Sequence, residues 1–267
     1  MKISMGQITT LTKDMETDAR TYPKAGFTPV ELAFPKVYKY LETHTAPELK
    51  NLLDDAGIHA VSAIGMAPTK AGVMYARGEE AERYFDSLRA QLELCHTLGC
   101  ELVNLGSDPD TFQYGGWEEQ CVQNLRRAGA LAAGFGMKVA LEDGSLRRAV
   151  PLVQRTDMEN VGYCIDYFWY YKHGQATEEM EAFDFTKLFN VHFCDLPAGF
   201  DVTSMDDGVR VLPGDGVLPL LHWSKLQRDA GYDGYLTLEL LNEDIWQMEA
   251  GAACEACSRA MAPFAAL

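Results

Sequence analysis

The sequence predicts an α/β fold in which one (β/α)8 barrel takes up residues 1–267 as a single domain. Three observations predict it. Short β-rich runs alternate with longer helical stretches along the whole chain, eight such runs can be counted, and no linker, charge run or low-complexity tract divides them. A chain of 267 residues could hold two average domains, but barrels reach this size as one unit. The competing doubly wound sheet would carry a glycine-rich turn after its first strand, and Met5-Gly6-Gln7-Ile8-Thr9 is not a dinucleotide fingerprint.

Residues 2–8 read as the first strand, followed by a helical stretch through Met15 and Ala19 to Gly26. Residues 28–33 are strand two, and a helix over 47–56 is stopped by Gly57, which suits the left-handed position after a helix. Strand three covers 58–64. Glu79–Leu98 is a long amphipathic helix, since Tyr84, Leu88, Leu92 and Cys95 recur at three- and four-residue spacing until Gly99 ends it. Strand four covers 101–105. The next helix, 117–135, lines up Cys121, Leu125, Ala128, Leu131 and Ala132, and Gly136 closes it. Strands five to eight fall at 137–142, 161–165, Leu188–Phe193 and 235–240. Helical segments near 218–230 and 245–262, with shorter ones at 147–154 and 177–183, complete the alternation.

Composition narrows the function. With 47% hydrophobic residues the chain can bury a large core without a disulfide scaffold. A formal charge of −16 argues against nucleic acid as a partner, because neutralising phosphates takes clustered Lys and Arg. Apolar runs are short and interrupted, so no membrane partner is expected, and Met1 to Gln7 shows neither an apolar export core nor a cleavage signature. The seven scattered cysteines then read as reduced thiols, and the expected location is cytoplasmic. Cys254-Glu255-Ala256-Cys257 has zinc-ligand spacing but no second pair, so packing or surface cysteines are expected there.

The chemistry lies at the ends of the last four strands. Strand five ends in Glu142, strand six in Asp166, strand seven carries His192 and strand eight ends in Glu239. In a closed parallel barrel these C-terminal ends converge on one mouth. Each residue alone has an ordinary explanation: Glu142 as a polar strand exit, Asp166 as a helix cap, His192 as a satisfied core histidine. Glu239, between Leu238 and Leu240, needs a partner in any case. Together, three carboxylates at one point would repel unless a cation neutralised them, and one imidazole with three carboxylates suits a divalent ion. Mn²⁺ is the first expectation, with Mg²⁺, Co²⁺ or Zn²⁺ as alternatives. Three negative charges against two positive leave one carboxylate with basic character. Aromatic residues crowd the same mouth: Phe112, Tyr114 and Trp117 after strand four, and Tyr167, Phe168, Trp169, Tyr170 and Tyr171 after strand six. Trp117 and Trp169 are expected to line a sugar pocket, most of the others to be core, and Tyr170 and Tyr171 alternatively to mark a contact in a homo-oligomer.

The order Glu, Asp, His, Glu on the last four strands resembles the sugar phosphate isomerase/epimerase family, within the xylose isomerase-like TIM barrel superfamily. That superfamily includes ketose 3-epimerases, inosose dehydratases and endonuclease IV. The junction Leu98-Gly99-Cys100-Glu101-Leu102-Val103, the segment His192-Phe193-Cys194-Asp195, and Arg210 followed by Pro213-Gly214-Asp215-Gly216 are similar to its motifs. The resemblance implies Glu142, Asp166, His192 and Glu239 as metal ligands. It also implies Arg210 as a residue that orients substrate or stabilises its charge, with Asp195 at the substrate. Two positions depart from it. Trp169 stands where ketose epimerases place a histidine three residues after the strand-six Asp, and Arg148 where they tend to carry a Glu.

The implied activity is a divalent-metal-dependent epimerase or isomerase of a keto sugar or sugar derivative, working by α-proton abstraction through a metal-stabilised enediolate. Glu142 and Glu239 would be the proton shuttles, with Arg210 as the third catalytic group. The two departures keep open a metal-dependent lyase or dehydratase acting on a ketoinositol or 3-oxo-glycoside. A non-catalytic sugar-binding barrel is the third reading, disfavoured because binding alone does not require convergent carboxylates. Asp215 in the glycine-rich stretch would repel a phosphate, so an unphosphorylated carbohydrate is expected.

Overall fold

The computed structural model describes residues 1–64, 73–106, 115–201 and 206–267. Strands β1 (Lys2–Gly6), β2 (Pro29–Ala33), β3 (His59–Ile64), β4 (Leu102–Gly106), β5 (Lys138–Glu142), β6 (Val161–Asp166), β7 (Leu188–Phe193) and β8 (Tyr235–Leu238) follow one another around a closed barrel. Every neighbouring pair is parallel, and the ring closes where Lys2–Met5 of β1 run beside Tyr235–Leu238 of β8. The (β/α)8 TIM barrel read from the sequence is the observed fold.

Between the strands lie α1 (Met15–Thr21), α2 (Phe34–Leu41), α3 (Ala46–Asp55), α4 (Glu79–Leu98), α5 (Trp117–Ala133), α6 (Leu146–Thr156), α7 (Tyr167–Lys172), α8 (Leu220–Asp229), α9 (Glu243–Gln247) and α10 (Ala250–Ala265). Local chemistry sets their ends. Thr45 and Glu48 form a capping box at the start of α3, and Gly57 (φ 69°) and Gly99 (φ 77°) take the left-handed conformation after α3 and α4. The apolar stripes predicted for α4 and α5 are buried, including Leu88, Leu92, Cys95, Cys121, Leu125 and Ala128. They pack with the outward-facing strand residues Val103, Leu105, Leu141 and Ile165 in one core. Each buried Leu or Ile contributes about 1.5–3 kcal/mol.

Several boundaries differ from the sequence reading. The first strand stops at Gly6, and Gln7–Thr10 form a 3-10 turn because their side chains turn inward: Thr9 Oγ1 donates to the Leu238 carbonyl, and Leu240 N donates back to Thr9 Oγ1. A side chain at Gly6 would put its Cβ 2.7 Å from the Leu238 oxygen, so the β1–β8 seam at the mouth requires glycine. Helix α2, unread in the sequence, starts directly after β2 with Pro35 in its first turn. The predicted helix over 245–262 is two helices, broken where Met248 is extended (φ −61°, ψ 155°). The seven cysteines are all buried, and Cys254 Sγ bonds Thr21 Oγ1, so the Cys254/Cys257 pair is packing.

Strand alternation divides the side chains. One set faces the helices. The other, Ser4, Glu31, Ser62, Asn104, Asn190, His192 and Thr237, is buried and polar, and it fills the barrel interior. Leu102, Ala140 and Cys164 form a small apolar cluster of their own, with Ala140 in register with Asn104 and Cys164 with Asn190. Among the described residues no helix is long and apolar enough to cross a membrane.

Candidate metal centre

Glu142 closes β5, Asp166 closes β6, His192 is the fifth residue of β7, and Glu239 follows directly on β8. The β6–β7 register sets Asp166 beside His192, and Glu239 N donates to the Phe193 carbonyl at 3.0 Å, so all four leave neighbouring strands at one height. Their potential ligand atoms lie within 4.8 Å of one another. His192 Nδ1 is 3.1 Å from Glu142 Oε1 and 3.6 Å from Glu239 Oε2. The Glu142 side chain keeps 11% of its surface exposed, whereas those of His192 and Glu239 keep 0% and 4%, which makes Glu142 the open side of the cluster.

Two cationic groups balance the carboxylates. Arg210 is buried, with Nη1 2.6 Å from Glu239 Oε2, Nη2 3.0 Å from Asp166 Oδ2, and its guanidinium 4.8 Å from the centre of the Phe168 ring. Burial would lower the Arg210 pKa, but Asp166 and Glu239 hold it above its ordinary value. Burial likewise works against charge on His192, yet the nearby Cys164, Glu239, Glu31 and Glu142 hold its pKa well above that of a free histidine. Asp166 is pushed up chiefly by burial, against the pull of Arg210.

This donor set fits a divalent cation. Asp166 Oδ1 caps α7 by accepting from Trp169 N, while Oδ2, though near Arg210, takes no directed hydrogen bond. The cap and the ligand reading of Asp166 therefore use different oxygens. A buried acceptor with no directed hydrogen bond among the described residues, beside an imidazole and two more carboxylates, is the mixed nitrogen–oxygen arrangement that hard and borderline divalent ions take.

Other expected site residues divide. Asp195 is buried, and its carboxylate accepts from the backbone N–H groups of Leu196, Gly214, Gly216 and Leu218, so it organises the segment after β7. Tyr167 and Tyr170 pack edge-on against Trp223 and are buried, which removes Tyr170 from any exposed contact. Trp169 is half-buried and leans with His173 over Gly144, two residues past Glu142. Trp117 is half-buried at the start of α5 against Tyr75. Phe112 and Tyr114 lie outside the described residues. Arg148 forks onto Asp143, which also accepts from Tyr75 at 2.8 Å, so this departure from the epimerase pattern anchors the residue next to Glu142.

The sequence reading missed Glu31. Its Oε2 accepts from Ser62 Oγ (2.7 Å), Asn104 Nδ2 (2.6 Å) and Asn190 Nδ2 (2.8 Å), and its Oε1 lies 3.0 Å from His192 Nε2. A carboxylate between Val30 and Leu32 in a buried strand is the same signal that pointed to Glu239, and it went unused.

Residues 20–259 match the family model of a xylose isomerase-like TIM barrel. The chain is 25% identical to the inosose isomerase of Halalkalibacterium halodurans, over 94% of this chain and 91% of that protein. A solved structure of an IolI protein with a bound zinc atom superposes with a TM-score of 0.89 at 21% identity, covering 99% of this chain and 98% of that one. The 3-keto-D-glucoside 4-epimerase of E. coli superposes at 0.76 and 17% identity, with both chains fully covered (100%). These structural likenesses speak for the fold.

Proposed function

The chain belongs to the xylose isomerase-like TIM-barrel family, and from that premise we propose that it is a divalent-metal-dependent epimerase or isomerase of a keto sugar or an inosose. The convergence of Glu142, Asp166, His192 and Glu239 on one point, with Arg210 against two of them, carries the reading. When bound, a divalent ion supplies the charge that polarises a carbonyl and its neighbouring hydroxyl. Mn²⁺ is our first choice for a set of one nitrogen and three carboxylates, and the zinc in the IolI structure makes Zn²⁺ the first alternative.

The remaining work falls to side chains. Glu142, at the open side, takes the proton from the carbon beside the carbonyl. Glu239 has Oε2 tied to Arg210 and exchanges a proton through its other oxygen on the opposite side. Arg210 places fixed positive charge where negative charge develops on the substrate, and its contact with Phe168 holds that guanidinium flat. Trp169 and Trp117 offer ring faces to the sugar's C–H groups. Asp215 beside the mouth segment favours an unphosphorylated substrate. One domain over 1–267, a cytoplasmic location and a homo-oligomer without nucleic-acid or membrane partners belong to the same proposal.

The test is an NMR panel of inososes and keto sugars in D₂O with Mn²⁺ or Zn²⁺. Deuterium at one α carbon with a new epimer or isomer is the expected result; an unsaturated product assigns a lyase instead, and no exchange with any substrate overturns the reading. Glu239→Gln should lower turnover by about 10²–10⁴-fold, as loss of a positioned proton carrier does. A loss within about threefold, worth under ~1 kcal/mol of barrier, removes Glu239 from that role.

A further inference from the structure

The backbone at Arg210 is gripped from two directions. One grip is the antiparallel bridge between the next residue, Val211, and Asp195. The other comes from the chain that carries Glu239. Asn242, three residues past Glu239, donates from Nδ2 to the Arg210 carbonyl at 2.9 Å, while its Oδ1 accepts from Ile245 N and caps α9. The two segments meet again at Gly208, where a Cβ would stand 3.2 Å from the Leu241 oxygen. Asn242 itself stands on a firm base. On one side Leu240 N donates to Thr9 Oγ1, and on the other Trp246 of α9 donates from Nε1 to the Ile8 carbonyl.

We propose that Asn242 is a positioning residue that fixes the Arg210 guanidinium against Glu239 and Asp166 by holding the Arg210 carbonyl. Arg210 and Glu239 lie 29 residues apart, and their buried contact at 2.6 Å joins two segments that could each shift alone. Asn242 couples them, because the short stretch from Glu239 to Asn242 carries one partner of that contact and clasps the backbone of the other. The coupling matters for an arginine in particular. Its fork is rigid, so Nη1 meets Glu239 and Nη2 meets Asp166 at 3.0 Å only from a narrow range of backbone positions. Capping α9 needs no more than an oxygen at residue 242, which serine or aspartate would also supply. The NH₂ of the carboxamide is what reaches Arg210. The catalytic side of this role rests on the reading of Arg210 as the charge that meets the substrate, whereas the hold on its side chain does not.

Asn242→Ser and Asn242→Ala separate the two jobs. Serine keeps a capping oxygen but is too short to reach Arg210, and alanine loses both. In ¹⁵N NMR of the metal-free full chain, the Arg210 side-chain signals are assigned by their loss in Arg210→Lys. Wild type should show its Nη–H protons resolved, because a guanidinium held through both Nη atoms rotates slowly. In folded Asn242→Ser they should merge. With the inosose or keto sugar that wild type turns over, kcat of Asn242→Ser should fall about 10–100-fold while KM stays within about threefold. Asn242→Ala should match that kcat and melt at a lower temperature. Merged Arg210 signals in wild type overturn the proposal without any variant having to fold. Resolved signals or a wild-type kcat in folded Asn242→Ser overturn it as well, and leave Asn242 as a cap alone. If wild type turns over no substrate, the functional reading fails, and the NMR comparison still decides whether Asn242 holds Arg210.

Discussion

Asp18 and Lys36 show how a charge pair can be sealed at the rim of this barrel. Their side chains are 2% and 4% exposed, and the carboxylate also accepts from Gln7 and Thr10 while Lys36 donates to the Thr10 carbonyl. Gln7 in turn accepts from Ala33 N, so the network ties the exit of β1 to the exit of β2. Burial pushes the Asp18 pKa up from 3.8 to about 6, against the pull of Lys36. Between those two values the folded state binds more protons than the unfolded one, so this group's contribution to stability falls as pH rises through the window, by up to about 3 kcal/mol. Replacing both residues, as Asp18→Asn with Lys36→Met, should remove that contribution. In urea titrations at several pH values, the stability of wild type relative to the double variant should be greater near pH 4 than near pH 7. The opposite trend would mean that Lys36 outweighs burial. Asp18→Asn alone leaves a buried ammonium without its counter-charge and should cost about 3–5 kcal/mol.

The segment after β7 is the element on which Arg210 depends. Asp195 exchanges both backbone hydrogen bonds with Val211, the neighbour of Arg210, while its carboxylate gathers the amides of Gly214, Gly216 and Leu218. Asp195→Asn sets an NH₂ against those N–H groups and should cost about 1–3 kcal/mol. Hydrogen exchange should quicken at Gly214, Gly216 and Leu218, and kcat should fall with Arg210 less firmly aimed; unchanged exchange at these amides would refute the anchor. This role was hidden in the sequence, where His192-Phe193-Cys194-Asp195 reads as a site motif and gives no sign that the Asp turns back onto its own chain. Elements bounded by glycine, such as α4 and α3, were legible because a left-handed stop leaves a residue-level mark. Helices α2 and α7 were not, because each begins on the residue after its strand and carries aromatics, which fit a strand or a loop equally well.

At the scale of the whole molecule, the barrel turns a two-residue alternation into two environments, and this decides which site residues a sequence can reveal. Glu142, Asp166 and Glu239 stand at strand exits, where counting eight strands is enough to bring them together. Glu31 and its partners sit mid-strand, and their meeting depends on the register of β2, β3, β4 and β7 around the closed ring. Closure also has an energetic consequence. Folding draws three carboxylates within 4.8 Å of one another in a chain of net charge −16, and without a dication Arg210 and a protonated His192 are what offset them. Metal-free protein should therefore fold, and a divalent ion that binds the folded state alone should add about 2.7 kcal/mol at a hundred times its dissociation constant. Among the described residues Arg210 pairs with Asp166 and Glu239 at the cluster, and no ion pair joins Glu142 to an arginine there. Removing the Glu142 charge relieves repulsion from the other carboxylates but weakens the contact with His192 Nδ1, so Glu142→Gln should melt near the metal-free wild type. The same variant should lose most of the upward shift in Tm that Mn²⁺ or Zn²⁺ gives wild type. Thermal melts with each ion and with EDTA separate the two effects: an equal metal-induced shift in Glu142→Gln and wild type would place the bound ion away from Glu142.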